Sequence, residues 1–309
     1  MKTSRRALPR LGVGRLLATV GALIMLAGCS DSPAPTTAAD GSSGASSTTP
    51  SAVAEVASIA ANVPAGIAER GTLIVGADVG YEPYAFVADG EITGFDVDLI
   101  TDVARVLGVT AEIREAPFAG LFTAVADGRY DTAIPALTDT VAREKIVDFV
   151  TYYSAGNQWA RVPGTDIEPG DACGRTVAVK KDTYQDTVEV AARSKVCVAA
   201  GKKPIIKARF DTQDQVVDAV LTGRAAALSA DAPVTTASVA ASGGRLQTIA
   251  GVFASAPYGF PVAKGSTLVV AIQQAVQHLI DTGRYAEIAQ KWDLGAGMVP
   301  GAIINGAVN

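Results

Sequence analysis

From about residue 72 onward, short apolar runs bounded by Gly, Pro or Asp alternate with segments whose apolar residues recur at three and four. The first pattern predicts buried strands and the second amphipathic helices. Residues 72–76 (TLIVG) read as a strand. Over 94–108, Leu99, Ile100, Val103, Val106 and Leu107 form one apolar helical face closed by Gly108. Residues 109–113 then read as strand, 118–126 as a helix stopped by Gly128, and 130–134 as strand. Beyond the Pro/Gly/Asp-rich stretch 163–171 the order returns: strand 176–180, helix 183–196, strand 204–210, helix 212–221, strand 225–230. The chain closes with a strand over 258–263 and helices over 267–282 and 284–292. A βαβαβ order that occurs twice predicts an α/β protein. Periodicity leaves two arrangements open: two consecutive domains, or a first unit completed by returning chain.

The first fifth of the chain follows neither rhythm. Lys2, Arg5, Arg6, Arg10 and Arg15 precede an apolar run over 16–27 that ends in Leu26-Ala27-Gly28-Cys29. A run of that length is a signal-peptide core, because a membrane-spanning helix needs roughly 20 apolar residues. Residues 1–28 are therefore expected to be a lipoprotein signal peptide, with Cys29 as the lipidated residue after cleavage. Ser4-Arg5-Arg6 hints at twin-arginine export beside the general secretory route. Residues 29–55 are expected to be a disordered tether, since Ser, Thr, Ala, Pro and Gly dominate them and they offer little to bury.

Charge and cysteines narrow the picture further. The whole chain carries −5, and the leader holds five of its 26 basic residues and none of its 31 acidic ones. An acidic mature chain without a basic, aromatic-rich patch argues against nucleic-acid binding. With Cys29 assigned to the anchor, Cys173 and Cys197 remain as a pair in a secreted protein, where a disulfide is expected. His278 is the sole histidine, and no phosphate loop, GxSxG elbow or HExxH is present. No metal, cofactor or catalytic residue is expected.

Hydrogen-bonding groups cluster just past the predicted strands, where open α/β sheets hold ligands. Asp78, Tyr81 and Tyr84 follow the first strand. Thr138, Asp139, Thr140 and Arg143 follow the strand over 130–134, Lys181 to Gln185 follow 176–180, and Asp231 follows 225–230. Arg143 could grip a carboxylate with two parallel hydrogen bonds, aided by Thr138, Thr140 and the amides of a following helix. Equally, it could be a helix cation paired with Glu144 or Asp139. Asp231 suits a helix N-cap as well as a ligand contact, and Tyr81, Tyr84 and Phe118 suit a core.

These segments resemble the amino-acid-type solute-binding proteins of ABC importers, family 3. The likeness lies in GTLIVGAD (71–78) with YEPY (81–84), GFDVDL (94–99), PFAGLFTAVADGRYD (117–131), ALTDTVAREKIVDFV (136–150), AVKKDTYQD (178–186), ALSADAPV (227–234), APYGFPVAKG (256–265) and TGRYAEIAQKWDL (282–294). It implies the type II periplasmic-binding-protein fold, with lobe 1 over 68–156 and 257–309, lobe 2 over 157–256, and two crossover strands as hinge. Residue by residue, it implies that Arg143 binds a ligand α-carboxylate and Asp231 its α-amino group. Asp78, Tyr81 and Phe118 would surround the ligand side chain, while Thr138 and Thr183 would supply hydroxyl contacts. The chain departs from the pattern at Pro135-Ala136, where relatives often carry Ser-Ser or a Gly-Met-like pair, and at Asp182-Thr183-Tyr184, where many carry Gly-Thr-Thr. Asp139 also stands where an aliphatic residue is common.

The expected function is capture of a polar amino acid for an ABC permease by a monomer anchored at the extracellular face of the membrane. Asp78, Asp139 and Asp182 near the inferred cleft favour a basic side chain. The alternatives are a cleft enzyme of the cyclohexadienyl or arogenate dehydratase type, and a sensor component that presents its ligand to a receptor.

Overall fold

The computed structural model describes residues 53–308. The predicted signal peptide, the predicted lipidation at Cys29 and most of the predicted tether lie outside the described residues. Residues 53–55, assigned above to the tether, belong to the folded unit instead: Val53 and Val56 pack against its core, and Val56 N–H donates to Val106 O.

Among the described residues, ten strands run in chain order: β1 (Thr72–Ala77), β2 (Phe86–Ala88), β3 (Glu91–Thr93), β4 (Thr110–Glu115), β5 (Thr132–Ile134), β6 (Val147–Arg161), β7 (Thr176–Lys180), β8 (Ile206–Phe210), β9 (Ala227–Asp231) and β10 (Gln247–Ala263). Eight form one sheet in the order β4-β1-β5-β10-β6-β9-β7-β8, and β2 and β3 form a separate hairpin. One half of the sheet is parallel around β1, the other parallel around β7, and β6 and β10 run antiparallel between them. Chain order therefore does not follow sheet order. The returning strand β10 pairs with β5 and with β6, so the first half is completed by chain that follows the second.

The two central strands went unrecognised in the hydrophobic pattern, apart from the end of β10. Period-two alternation marks strands with one wet face. Nearly every residue of β6 is buried, so no alternation exists to be seen. The aromatic rings of β6 and β10 pack together, with Tyr152 and Phe260 stacked at a centroid distance of 4.0 Å.

Helix Phe95–Val106 shows how the first half is built. Leu99, Ile100, Val103 and Val106 are wholly buried, as the spacing of three and four requires. Its leading amides are satisfied by the segment before it: Phe95 N–H donates to Pro83 O, and Asp96 N–H to Tyr84 O. That approach demands Gly94, whose φ is 136° and where a Cβ would sit 2.1 Å from Tyr84 O. The helix start thus clamps residues 81–84 beyond the carboxyl end of β1.

The helix predicted over 183–196 begins instead with a π turn, Gln185–Glu189, before helix Val190–Ala199. Such turns occur often at functional sites. Residues 141–146 form consecutive turns, not the helix expected after Asp139. Cys173 and Cys197 are bonded, with their Cα atoms 5.5 Å apart. No helix among the described residues is long and apolar enough to cross a membrane.

Candidate functional site

The carboxyl ends of β1 and β5 and those of β7 and β9 bring the predicted site residues around one narrow, nearly closed cavity of about 10 Å³. Tyr81, Phe118, Thr138 and Arg143 line it from the first half of the sheet, and Thr183 and Asp231 from the second. Six of the seven predicted ligand contacts share this wall. Asp78, the seventh, does not reach it.

Arg143 is buried and makes no ion pair among the described residues, so neither Glu144 nor Asp139 holds it. Its Nη1 donates to Thr138 O at 2.7 Å, and its Nη2 to Asp182 O at 2.9 Å, which ties the two halves together. Thr140 Oγ1 accepts from Arg143 N–H at 3.3 Å and fixes the turn that carries it. Burial lowers the guanidinium pKa to about 10, which leaves it cationic at neutral pH.

Asp231 occupies the N-cap position of helix Ala232–Ala241 but its carboxylate caps nothing. It accepts instead from Tyr81 Oη at 2.6 Å and from Gln185 Nε2 at 2.8 Å. Burial raises its pKa, while the Tyr81 hydroxyl and Gln185 amide pull it back down. Tyr81 answers both descriptions given above, since it packs in the core and lines the cavity.

Thr183 donates its hydroxyl to Lys180 O at 2.7 Å, which holds the turn after β7. Within that turn Asp182 has φ of 63°, in the left-handed region. Glycine adopts this conformation freely and Asp tolerates it better than most residues, so the Gly commonly found here in similar proteins and this Asp answer one backbone requirement. The Asp182 carboxylate points to Arg209 (3.0 Å), away from the cavity. Asp139 also faces away from the cavity but stays buried: it accepts from Gly306 N–H at 2.9 Å, and burial and Glu144 raise its pKa to about 7. Of the three aspartates expected near the cleft, only Asp78 stands beside the site.

Two residues were missed. Gln185 bridges Asp231 to Asn157, its amide donating to Asn157 Oδ1 at 2.7 Å. It closes the polar run 181–185 noted after the strand, but it was given no role there, because the π turn that aims it inward has no sequence signature. Lys180, the last residue of β7, is 3% exposed and forms a salt bridge with Asp78. Its ammonium lies 4.7 Å from the Tyr81 ring centroid and 5.3 Å from that of Phe118. A strand buried on both faces gives no hint of which side its terminal lysine takes. Asp78 has its pKa raised by burial and lowered again by Lys180; the salt bridge argues that the carboxylate is the charged partner.

The cavity thus presents a guanidinium on one side and a carboxylate on the other. His278 lies on helix Leu268–Asp281 and does not line it. Among the described residues, no group of His, Cys, Asp and Glu could hold a metal ion.

Known proteins resemble this chain along most of its folded length. The arginine-binding protein ArgT of Corynebacterium glutamicum is 38% identical over 253 residues, covering 81% of this chain and 83% of that protein. An ancestral arginine-binding protein bound to arginine superposes with a TM-score of 0.66 at 30% identity, over 72% of this chain and 98% of that one. The ancestral amino acid-binding protein AncCDT-1, a precursor of cyclohexadienyl dehydratase, superposes at 0.63 with 28% identity, over 74% and 97%. The fold is accordingly the type II periplasmic-binding-protein fold. The profile of the bacterial extracellular solute-binding proteins, family 3, matches residues 73–296, and the chain belongs to that family.

Proposed function

We propose that this chain is the substrate-binding component of an ABC importer and captures a polar amino acid between two lobes, residues 68–156 with 257–309 and residues 157–256. The observation that carries the reading is the placement of Arg143 and Asp231 across one cavity, a cation and an anion facing the space between them. A zwitterion satisfies both: its carboxylate on Arg143, its ammonium on Asp231, each a charge-assisted bond of about 1.5–3 kcal/mol net. Thr138 adds a hydroxyl at the carboxylate end, Thr183 holds the turn that lines it from the other half, and Tyr81 and Phe118 pack on the side chain. Relatives named for arginine and for other amino acids support the ligand class.

Closure follows from the same groups. Arg143 to Asp182, Tyr81 to Asp231 and Lys180 to Asp78 all join the two halves. A ligand that fits only between them favours the closed form by its differential affinity, and the permease reads that form. On this reading the chain is not an enzyme. The Thr183 hydroxyl is committed to a backbone carbonyl and no histidine stands by to activate it. Cys29 would carry the lipid that holds the protein, as a monomer, at the extracellular face of the membrane.

Calorimetry of the full chain against the α-amino acids tests the proposal. Binding at micromolar or tighter Kd is expected, and Arg143→Ala should weaken it at least about a hundredfold, or about 3 kcal/mol, with Tm within about 5 °C of wild type. Full affinity in Arg143→Ala would remove the carboxylate assignment.

A further inference from the structure

We propose that Lys180 fills the side-chain subsite of this binding site with a cation of its own, and so sets the site against ligands whose side chain is cationic. The inference rests on the amino-acid reading above and deepens it.

Asp78, Tyr81 and Phe118 together supply one carboxylate and two ring faces. That is a complete recognition set for an organic cation: a counter-charge and aromatic quadrupoles around it. Lys180 already uses all of it. Its ammonium forms a salt bridge with Asp78, and both rings lie within cation–π range. Both partners of the ion pair are buried, with side-chain exposures of 3% and 8%. The lysine reaches in from the half of the sheet opposite to the three groups it satisfies. Asp78 is consequently shut away from the cavity wall that Tyr81 and Phe118 help to form.

The charge balance then decides which ligands fit. Arg143 and Asp231 are matched by the carboxylate and ammonium common to every α-amino acid, and Asp78 and Lys180 match each other. A neutral polar side chain leaves this balance intact. A guanidinium or ammonium side chain brings a fourth positive charge against three negative ones, which Asp78 can accept only if Lys180 gives up its place. A buried pair broken in this way leaves an uncompensated charge behind, so the exchange works against the cationic ligand. Selection by an unfavourable contact of this kind acts on the ratio between ligands more than on affinity as such.

If Lys180 were merely a tie between the halves, its removal would shift every ligand alike. The ratio separates the two roles. Arginine and glutamine are titrated calorimetrically into wild type, Lys180→Met and Lys180→Gln, the last keeping a polar side chain should the first fold poorly. The expected result is that arginine affinity relative to glutamine rises at least tenfold in the variants. A ratio within threefold of wild type in both variants, or one that moves toward glutamine, overturns the proposal while amino-acid capture stands. Absence of binding to any α-amino acid by wild type overturns capture itself and this inference with it.

Discussion

At the scale of single residues, the buried charges that do not touch the cavity still shape it. Asp96 is fully buried in the first turn of helix Phe95–Val106, and its Oδ2 accepts from Tyr152 Oη (2.8 Å) and from Ala136 N–H (3.2 Å). Ala136 lines the cavity at a φ of 48°, so Asp96 helps to hold a strained wall residue in place. The other carboxylate oxygen has no partner. Burial drives the Asp96 pKa from 3.8 up to about 7, with the two hydrogen bonds opposing it. The folded state therefore binds the proton more tightly than the unfolded chain. Stability from this group is full below about pH 4 and is lost as pH rises through about 7. Asp96→Asn removes that loss, and its stability relative to wild type should rise by about 2–3 kcal/mol between pH 5 and pH 8, at about 1.4 kcal/mol per pKa unit. Denaturant unfolding at the two pH values checks it; a difference that does not change with pH would mean that Asp96 does not titrate in this range. Much of the site itself was legible at this scale, because Arg143, Asp231 and Thr183 follow strands whose ends are where α/β sheets hold ligands. Lys180 was not, since it belongs to a strand whose two faces are both buried.

Among the elements, the parallel strands were read to within a few residues because most are short apolar runs bounded by Gly, Pro or Asp, and most of their helices because each shows one apolar face. β6 and most of β10 were invisible because polar and small residues break up the apolar run, such as Asp148, Thr151 and Asn157 in β6, where burial on both faces also leaves no alternation. Helix Val190–Ala199 is a third case, with little burial to display. Only Val190 and Cys197 of that helix are buried, while Val196 and Val198 are 70% and 58% exposed. So thin an apolar contact makes the disulfide to Cys173 the main restraint on its second half. Closing a loop of this separation contributes about 3 kcal/mol in the chain-entropy account. The double variant Cys173→Ser with Cys197→Ser should lose about that much stability in denaturant unfolding. Neither cysteine lines the cavity, so its amino-acid Kd should stay within about threefold of wild type. A stability unchanged by the double substitution would show that the helix is held by other means.

For the whole molecule, the decisive feature is that β6 and β10 connect the two halves of the sheet and that β6 touches, through Asn157, a residue lining the binding site. Along their ladder the register shifts three times, and the first two shifts, between Ile249 and Phe253 and between Phe253 and Ala256, fall on either side of Asn157, the second opposite Gly156. Asn157 receives the amide of Gln185, which also donates to Asp231, so the irregular crossing and the proposed ammonium contact share one hydrogen-bonded chain. Gly156 permits that close approach. A Cβ there would meet Val252 Cγ1 at 2.4 Å, Ser255 Oγ at 2.8 Å and Phe253 O at 2.9 Å. The first two can move aside and the backbone oxygen cannot, so Gly156→Ala must spread the strands at their crossing, at about 1–3 kcal/mol. Because the engaged form contains this contact, the cost falls on that form, and the balance shifts toward separated halves. Gly156→Ala should therefore weaken amino-acid binding about tenfold or more although residue 156 lines no part of the cavity, and small-angle scattering should show a more extended protein at equal ligand concentration. If its Tm falls while Kd and scattering match wild type, then the crossing is rigid in both forms and closure must bend the chain elsewhere along β6 and β10.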